Sequence, residues 1–253
     1  MLTEPTLDKL KGLRLYGMAT AWTAQQHDAQ MSALACEERF GLLVDAEWLY
    51  RQNRRLERYL GEAKLKLGHA CLEDVDYAPR RQLDRALVRQ LATCQWVADH
   101  HSIVITGATG TGKTYLACAL AQQACRKGFR ALYRRLPRLF EELALAHADG
   151  SYMRLLAKFA RVDVLVLDDY GLTALRDIDR RDLLEIFEDR YGTRATILTS
   201  QLPTTKWHDY LGDPTIADSI CDRVLHNAYR LVLQGPSRRK ESKETKETEA
   251  TTS

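Results

Sequence analysis

Eight residues, Gly107-Ala108-Thr109-Gly110-Thr111-Gly112-Lys113-Thr114, follow the pattern G-x-x-x-x-G-K-[ST] at every fixed position. An apolar run, Ile103-Val104-Ile105, enters this stretch, and the alanine-rich segment from Tyr115 to Cys125 leaves it as a helix. That context matters because a phosphate loop works by aiming backbone N–H groups at an anion beside a helix N-terminus. Gly107, Gly110 and Gly112 let the backbone close on phosphates, while Thr109, Thr111 and Tyr115 lie in or beside the loop. Lys113 is expected to reach the β and γ phosphates, and the Thr114 hydroxyl to ligate Mg²⁺.

A second chemical stretch is Val164-Leu165-Val166-Leu167-Asp168-Asp169. Four apolar residues read as a strand buried on both faces, with carboxylates at its end. Ligands of open α/β sheets bind at the carboxyl ends of the strands, so Asp168 is expected beside Lys113 and Thr114. There it would hold Mg²⁺ through water, and Asp169 would orient or deprotonate an attacking water. Ala195 to Thr199 is a further core strand, and its end, Thr199-Ser200-Gln201, offers polar groups that could sense a γ-phosphate.

Composition narrows the field. The chain has 253 residues, 45% of them hydrophobic, and a net charge of only +3, so the distribution of charge matters more than its sum. Its six cysteines show no C-x-x-C pair and read as thiols of a reducing cytoplasm. The histidines show no metal-ligand spacing. No signal-peptide pattern or membrane-length apolar run is present, which predicts a soluble cytoplasmic protein with no membrane partner.

The elements that must position these groups follow. Residues 1–67 read as an all-helical domain, with helices over Leu7–Tyr16, stopped by Gly17, and over Met18–Ala29. A longer helix from Glu37 carries Leu42, Ala46, Leu49, Asn53, Leu56, Leu60 and Ala63 as a packing seam. Arg51, Arg54, Arg55 and Arg58 share its opposite face and are candidates for phosphate contact. Residues 68–80, with Gly68 and Pro79, read as a linker, 81–236 as the phosphate-binding domain, and the Ser, Thr, Lys and Glu rich 237–253 as a disordered tail. Arg126, Lys127, Arg130, Arg134, Arg135 and Arg138 form a run of one sign that favours a nucleic-acid contact.

The phosphate loop, the LVLDD strand, TSQLP at 199–203, LYGMATAW at 15–22, RRLPRLFEELALAHADGSY at 134–152 and IADSICDRVLHNAYRLVLQGPSRRK at 216–240 together resemble one family over nearly the whole chain. That family is the IstB-type helper ATPases of insertion sequences, in the AAA+ superfamily beside the DnaC helicase loaders and DnaA initiators. The resemblance implies an αβα core with a parallel five-stranded sheet of order 5-1-4-3-2, preceded by a small helical N-terminal domain. It implies ATP and Mg²⁺ as cofactors, self-assembly on double-stranded DNA, and an IstA-type transposase as partner in target selection and transposition. By similarity, Arg223 fits an arginine finger serving a neighbouring subunit, Ser200 or Gln201 a first sensor and Arg239 a second. Segment 134–160 corresponds to an insertion that lines DNA, which adds Lys158 to Arg134, Arg135 and Arg138 as DNA-facing candidates. Asp169 departs from the glutamate of many AAA+ ATPases; one methylene fewer implies slow basal hydrolysis.

Three other readings remain open at this level. A helicase loader of the DnaC type would share the core but prefer single strands. A small-molecule phosphotransferase would need an acceptor pocket and no Arg223 from a neighbour. A nucleotide-gated clamp would make no chemical use of Asp169.

Overall fold

The structure, a computed structural model, describes residues 3–237. It divides into two compact units, residues 1–58 and 59–253. The expected tail beyond Ser237 and the candidate Arg239 lie outside the described residues.

The smaller unit contains α1 (Thr3–Gly12), α2 (Tyr16–His27) and most of α3 (Cys36–Ala63). Gly17 was expected to stop a helix, but it lies in the first turn of α2. A Cβ there would come within 2.5 Å of the Ala46 carbonyl oxygen, so the glycine permits α2 and α3 to touch backbone to backbone. The break falls instead at Leu13 to Leu15, where Arg14 takes a positive φ of 59°. Glu47 fixes the rotation of α3 by accepting from the Gly17 and Met18 amides at 2.8 and 3.2 Å. Burial alone would raise its carboxyl; hydrogen bonds from Arg51, Met18 and Gly17 outweigh that and hold it below the usual range. This rotation buries Leu43 and Glu47 and leaves the expected seam residues Leu42 and Leu49 exposed. The four arginines of the other face are all exposed, with Arg51 paired to Glu47 at 2.7 Å.

In the larger unit follow α4 (Arg85–Ala92), α5 (Gln95–Ala98), β1 (Ser102–Gly107), α6 (Lys113–Arg126), β2 (Ala131–Arg135), α7 (Leu136–Asp149) and α8 (Tyr152–Arg161). They are continued by β3 (Val164–Tyr170), α9 (Asp177–Arg190), β4 (Ala195–Ser200), α10 (Trp207–Leu211), α11 (Pro214–Leu225) and β5 (Ala228–Leu233). The strands form one sheet of order β2-β3-β4-β1-β5, the order 5-1-4-3-2 read from its other edge. Every pairing is parallel. β4 is buried at every position, as an inner strand covered on both faces must be. Alternation along the strands puts Val104, Leu132, Leu165, Leu167 and Leu198 in one cluster with α7, α8, α9 and α11. The other face packs against α6, which touches β2, β3 and β4.

The larger unit begins at Tyr59, earlier than the expected end of the helical domain at residue 67. The last turn of α3 belongs to it because Ala63 is fully buried. The stretch 68–80 read as a linker packs on the larger unit: Ala70 is fully buried and Asp76 accepts from Arg81 Nε at 2.8 Å. Cys94, Cys118 and Cys125 are buried, and burial pushes the first and last up to about 11. No described helix is long and apolar enough to cross a membrane.

Candidate nucleotide site

β1 delivers the phosphate loop at its carboxyl end and α6 begins at Lys113, so the loop lies between a strand end and a helix N-terminus. Gly107, Gly110 and Gly112 have φ of 149°, 83° and 97°. A side chain on Gly107 would collide with the Leu233 carbonyl oxygen, 2.3 Å from its Cβ, so β5 and the loop meet only because this residue is glycine. Lys113 Nζ donates to the Gly107 and Ala108 carbonyls at 2.8 Å each and so holds the curve of the loop. Thr111 closes the inner turn by donating to the Ala108 carbonyl.

β3 brings in the carboxylates. Asp168 is fully buried and accepts from three hydroxyls: Thr114 at 2.9 Å, Tyr133 at 2.6 Å, and Thr199. Lys66 Nζ lies 3.8 Å from its Oδ2. Burial and the bond to Asp168 hold the Tyr133 phenol far above its ordinary range, so it stays a donor. At Asp169 the register between β3 and β4 breaks, between Leu167 and Tyr170, and φ turns to +65°. That irregularity aims Asp169 away from the strand's pleat. The carboxylate accepts from Arg135 Nε at 2.6 Å, and its amide donates to Thr199 Oγ1. The hydrogen bond to Asp169 raises the Arg135 guanidinium further.

The residues at the end of β4 part company. Thr199 bridges the two aspartates, whereas Ser200 turns inward, donating to the Tyr170 carbonyl and accepting from the Leu202 amide. Gln201 faces the loop and accepts from the Thr109 hydroxyl at 2.6 Å. A cleft of about 800 Å³ is lined by Thr109, Gly110, Lys113, Thr114, Arg135 and Gln201, among others, with Tyr115, Lys66 and Asp169 also on its wall. Its volume suits a nucleotide, and three cations face a space where a triphosphate would need them. The donor set also fits Mg²⁺, since Thr114 and Asp168 already touch.

Arg223 is elsewhere. It sits on α11, donates to Glu188 at 2.6 Å, and shares a crevice with Ser102 and Asn227. Ser102 starts β1 and Gly107 ends it, so roughly 16 Å of strand separates Arg223 from the loop.

The DNA candidates divide as well. Arg138 and Lys158 are exposed, but Arg134 is 9% exposed, its guanidinium engaged by Glu142 and the Tyr133 carbonyl. Arg135 belongs to the nucleotide cleft, on Asp169. Arg134 is therefore not presented on an outer face, because β2 turns it inward, whereas Arg135 keeps 41% of its side chain exposed but is tied to Asp169. Sequence reasoning did not single out Lys66 and Tyr133 for this site. Nothing in their spacing marks them, since parallel pairing and a turn after a long helix bring them to Asp168.

A five-stranded parallel sheet in this order, with a phosphate loop after β1 and a buried acidic group at the end of β3, defines a P-loop nucleotide-binding protein of AAA+ fold. The chain belongs to the family described as IstB-like ATP binding protein, whose model matches residues 8–246. It is 48% identical over 240 residues to the insertion sequence ATP-binding protein y4pL of Sinorhizobium fredii, covering 95% of this chain and 98% of that one. With the ATP-binding protein of insertion sequence IS1162 of Pseudomonas fluorescens it shares 51% over 205 residues, 81% of this chain and 89% of that one. The crystal structure of the DnaC helicase loader superposes with a TM-score of 0.53 at 22% identity, over 70% of this chain and 99% of that chain, a likeness of fold.

Proposed function

We propose that the chain is an ATP hydrolase that assembles on double-stranded DNA in its ATP state and assists a transposase in inserting an insertion sequence. The observation that supports this is a separation: Lys113, Thr114 and Gln201, with Asp168 bonded to Thr114, lie at one end of β1, and Arg223 lies at the other. Arg223 stands too far from its own cleft to serve it; on this reading it leaves Glu188 to serve a neighbour's cleft, so turnover requires assembly. Thr114 and Asp168 would hold Mg²⁺, which supplies neutralisation of the β and γ phosphate charge. Lys113 binds the same phosphates, Gln201 orients the γ-phosphate, and Asp169 takes the proton of the attacking water once Arg135 lets it go. Each unit offers exposed cations for phosphate contact: Arg51, Arg54, Arg55 and Arg58 in the smaller, Arg138 and Lys158 in the larger. The insertion-sequence relatives support a transposase as the partner.

The test is fluorescence anisotropy of labelled duplex and single-stranded DNA with ATP, with ADP and without nucleotide. Tight, ATP-dependent binding to duplex, abolished by Lys113→Ala, is expected. A preference for single strands would favour the second reading, a helicase loader, for which the fold likeness to DnaC speaks. No DNA binding in any nucleotide state would end both.

A further inference from the structure

Asp168 is a buried carboxylate, and its accepting directions can be counted. Two oxygens offer about four lone-pair sites. Oδ1 accepts from Thr114 at 2.9 Å and from Thr199. Oδ2 accepts from Tyr133 at 2.6 Å, with Thr114 making a longer second contact at 3.1 Å. The remaining side of Oδ2 faces the Lys66 ammonium at 3.8 Å, an ion pair without hydrogen-bond contact. The other cations of the cleft are engaged elsewhere, Lys113 with the loop carbonyls and Arg135 with Asp169. Lys66 is thus a cation in ion-pair range of a carboxylate with no solvent exposure, beside the more distant charge of Arg135.

We propose that Lys66 and a divalent cation are alternative partners of the Asp168 carboxylate, so that loading the cleft with metal and nucleotide displaces Lys66. The inference rests on the reading that Thr114 and Asp168 hold Mg²⁺. A dication brought to this carboxylate, directly or through water, repels the ammonium already beside it, and the buried carboxylate side of that space screens the repulsion less than bulk water does. Departure is sterically easy: the Lys66 side chain is 41% exposed and sits on a flexible four-carbon stem. Lys66 lies three residues beyond the end of α3, and its backbone and that of Leu67 lie against Cys118 of α6. Exchange at Asp168 therefore changes what anchors the turn that ends α3. The lysine sets the magnesium concentration at which the cleft loads.

The experiment uses the full chain and an N-methylanthraniloyl derivative of ATP, whose fluorescence reports binding while MgCl₂ is titrated. Removing the competitor in Lys66→Met lowers the magnesium midpoint by about threefold, the scale of a partly exposed ion pair. Lys66→Arg keeps the charge and leaves the midpoint near that of the unmodified protein. A midpoint unchanged or raised in Lys66→Met, with a normal midpoint in the unmodified protein, overturns the proposal alone. An unmodified protein that binds the nucleotide with no magnesium dependence overturns it together with the metal reading beneath it. Equal thermal unfolding of the two variants confirms that charge, not folding, separates them.

Discussion

The two ends of the parallel sheet use the same kind of residue for opposite purposes. At the carboxyl end Arg135 lies on the wall of a cleft of about 800 Å³, bonded to a carboxylate that a ligand can compete for. At the amino end Arg190 is 1% exposed and donates to the Phe159, Val162 and Ala195 carbonyls and to the Thr196 hydroxyl. Burial pulls this guanidinium down to about 9, which still leaves it charged at neutral pH. The crevice beside it holds only about 20 Å³, too little for any ligand. Two arginines there are partly open, Arg194 with 37% of its side chain exposed beside Asp163, and Arg223 with 26% exposed against Glu188. On the proposed function, the cavity at one end and Arg223 at the other would be two halves of a site that a second copy joins.

The comparison breaks most severely at Arg223. Arg223→Ala is expected to lower ATP turnover by roughly 10³-fold, the scale of an arginine finger, while nucleotide affinity stays nearly unchanged. Mixing it with Lys113→Ala protein should restore part of the turnover, because each variant keeps the half the other lacks. Steady-state phosphate release on the mixture decides it: no recovery means that Arg223 does not act across an interface. Next in size is Arg190→Met, which leaves several buried carbonyls without donors and should cost about 3 kcal/mol in urea unfolding. Nucleotide affinity should survive, since the loss lies at the sheet end away from the loop. An equal fall in affinity would show that the two ends are not separable.

What could be read from the sequence was what local chemistry dictates. The loop glycines, Lys113 and Thr114 announce themselves because only those types at that spacing can wrap a phosphate, and four apolar residues before Asp168 announce a covered strand. Strand order came from resemblance alone, since spacing does not say which strands lie side by side. What stayed hidden was set by long-range register. Tyr133 reaches Asp168 because β2 and β3 pair in parallel with Arg135 opposite Asp168, and nothing local to Ala131–Arg135 encodes that. The α3 seam was misplaced for a similar reason: its periodicity is ambiguous between faces, and Glu47 capping the start of α2 decides which one is buried. Thr199, Ser200 and Gln201 looked equivalent as a polar run, yet strand alternation and the irregularity at Asp169 send them to three different partners.

The smallest effect should come from Arg135, and it tests whether the carboxyl end is held in check from within. Arg135 and Asp169 are bonded at 2.6 Å, and a carboxylate oxygen that accepts from a guanidinium is not free to accept from an attacking water. Arg135→Ala should therefore raise basal turnover by about tenfold or less, the loss of one such bond at a partly exposed pair. If instead Arg135 binds the γ-phosphate during turnover, the same variant lowers the rate. A double-mutant cycle separates the two, because residues in contact are not additive. In an Asp169→Asn background there is no carboxylate for Arg135 to restrain, so removing the arginine should give no rise at all. A rise that persists in that background would mean the arginine restrains something other than Asp169, and the cleft's own brake would have to be sought in the loop that Lys113 now closes.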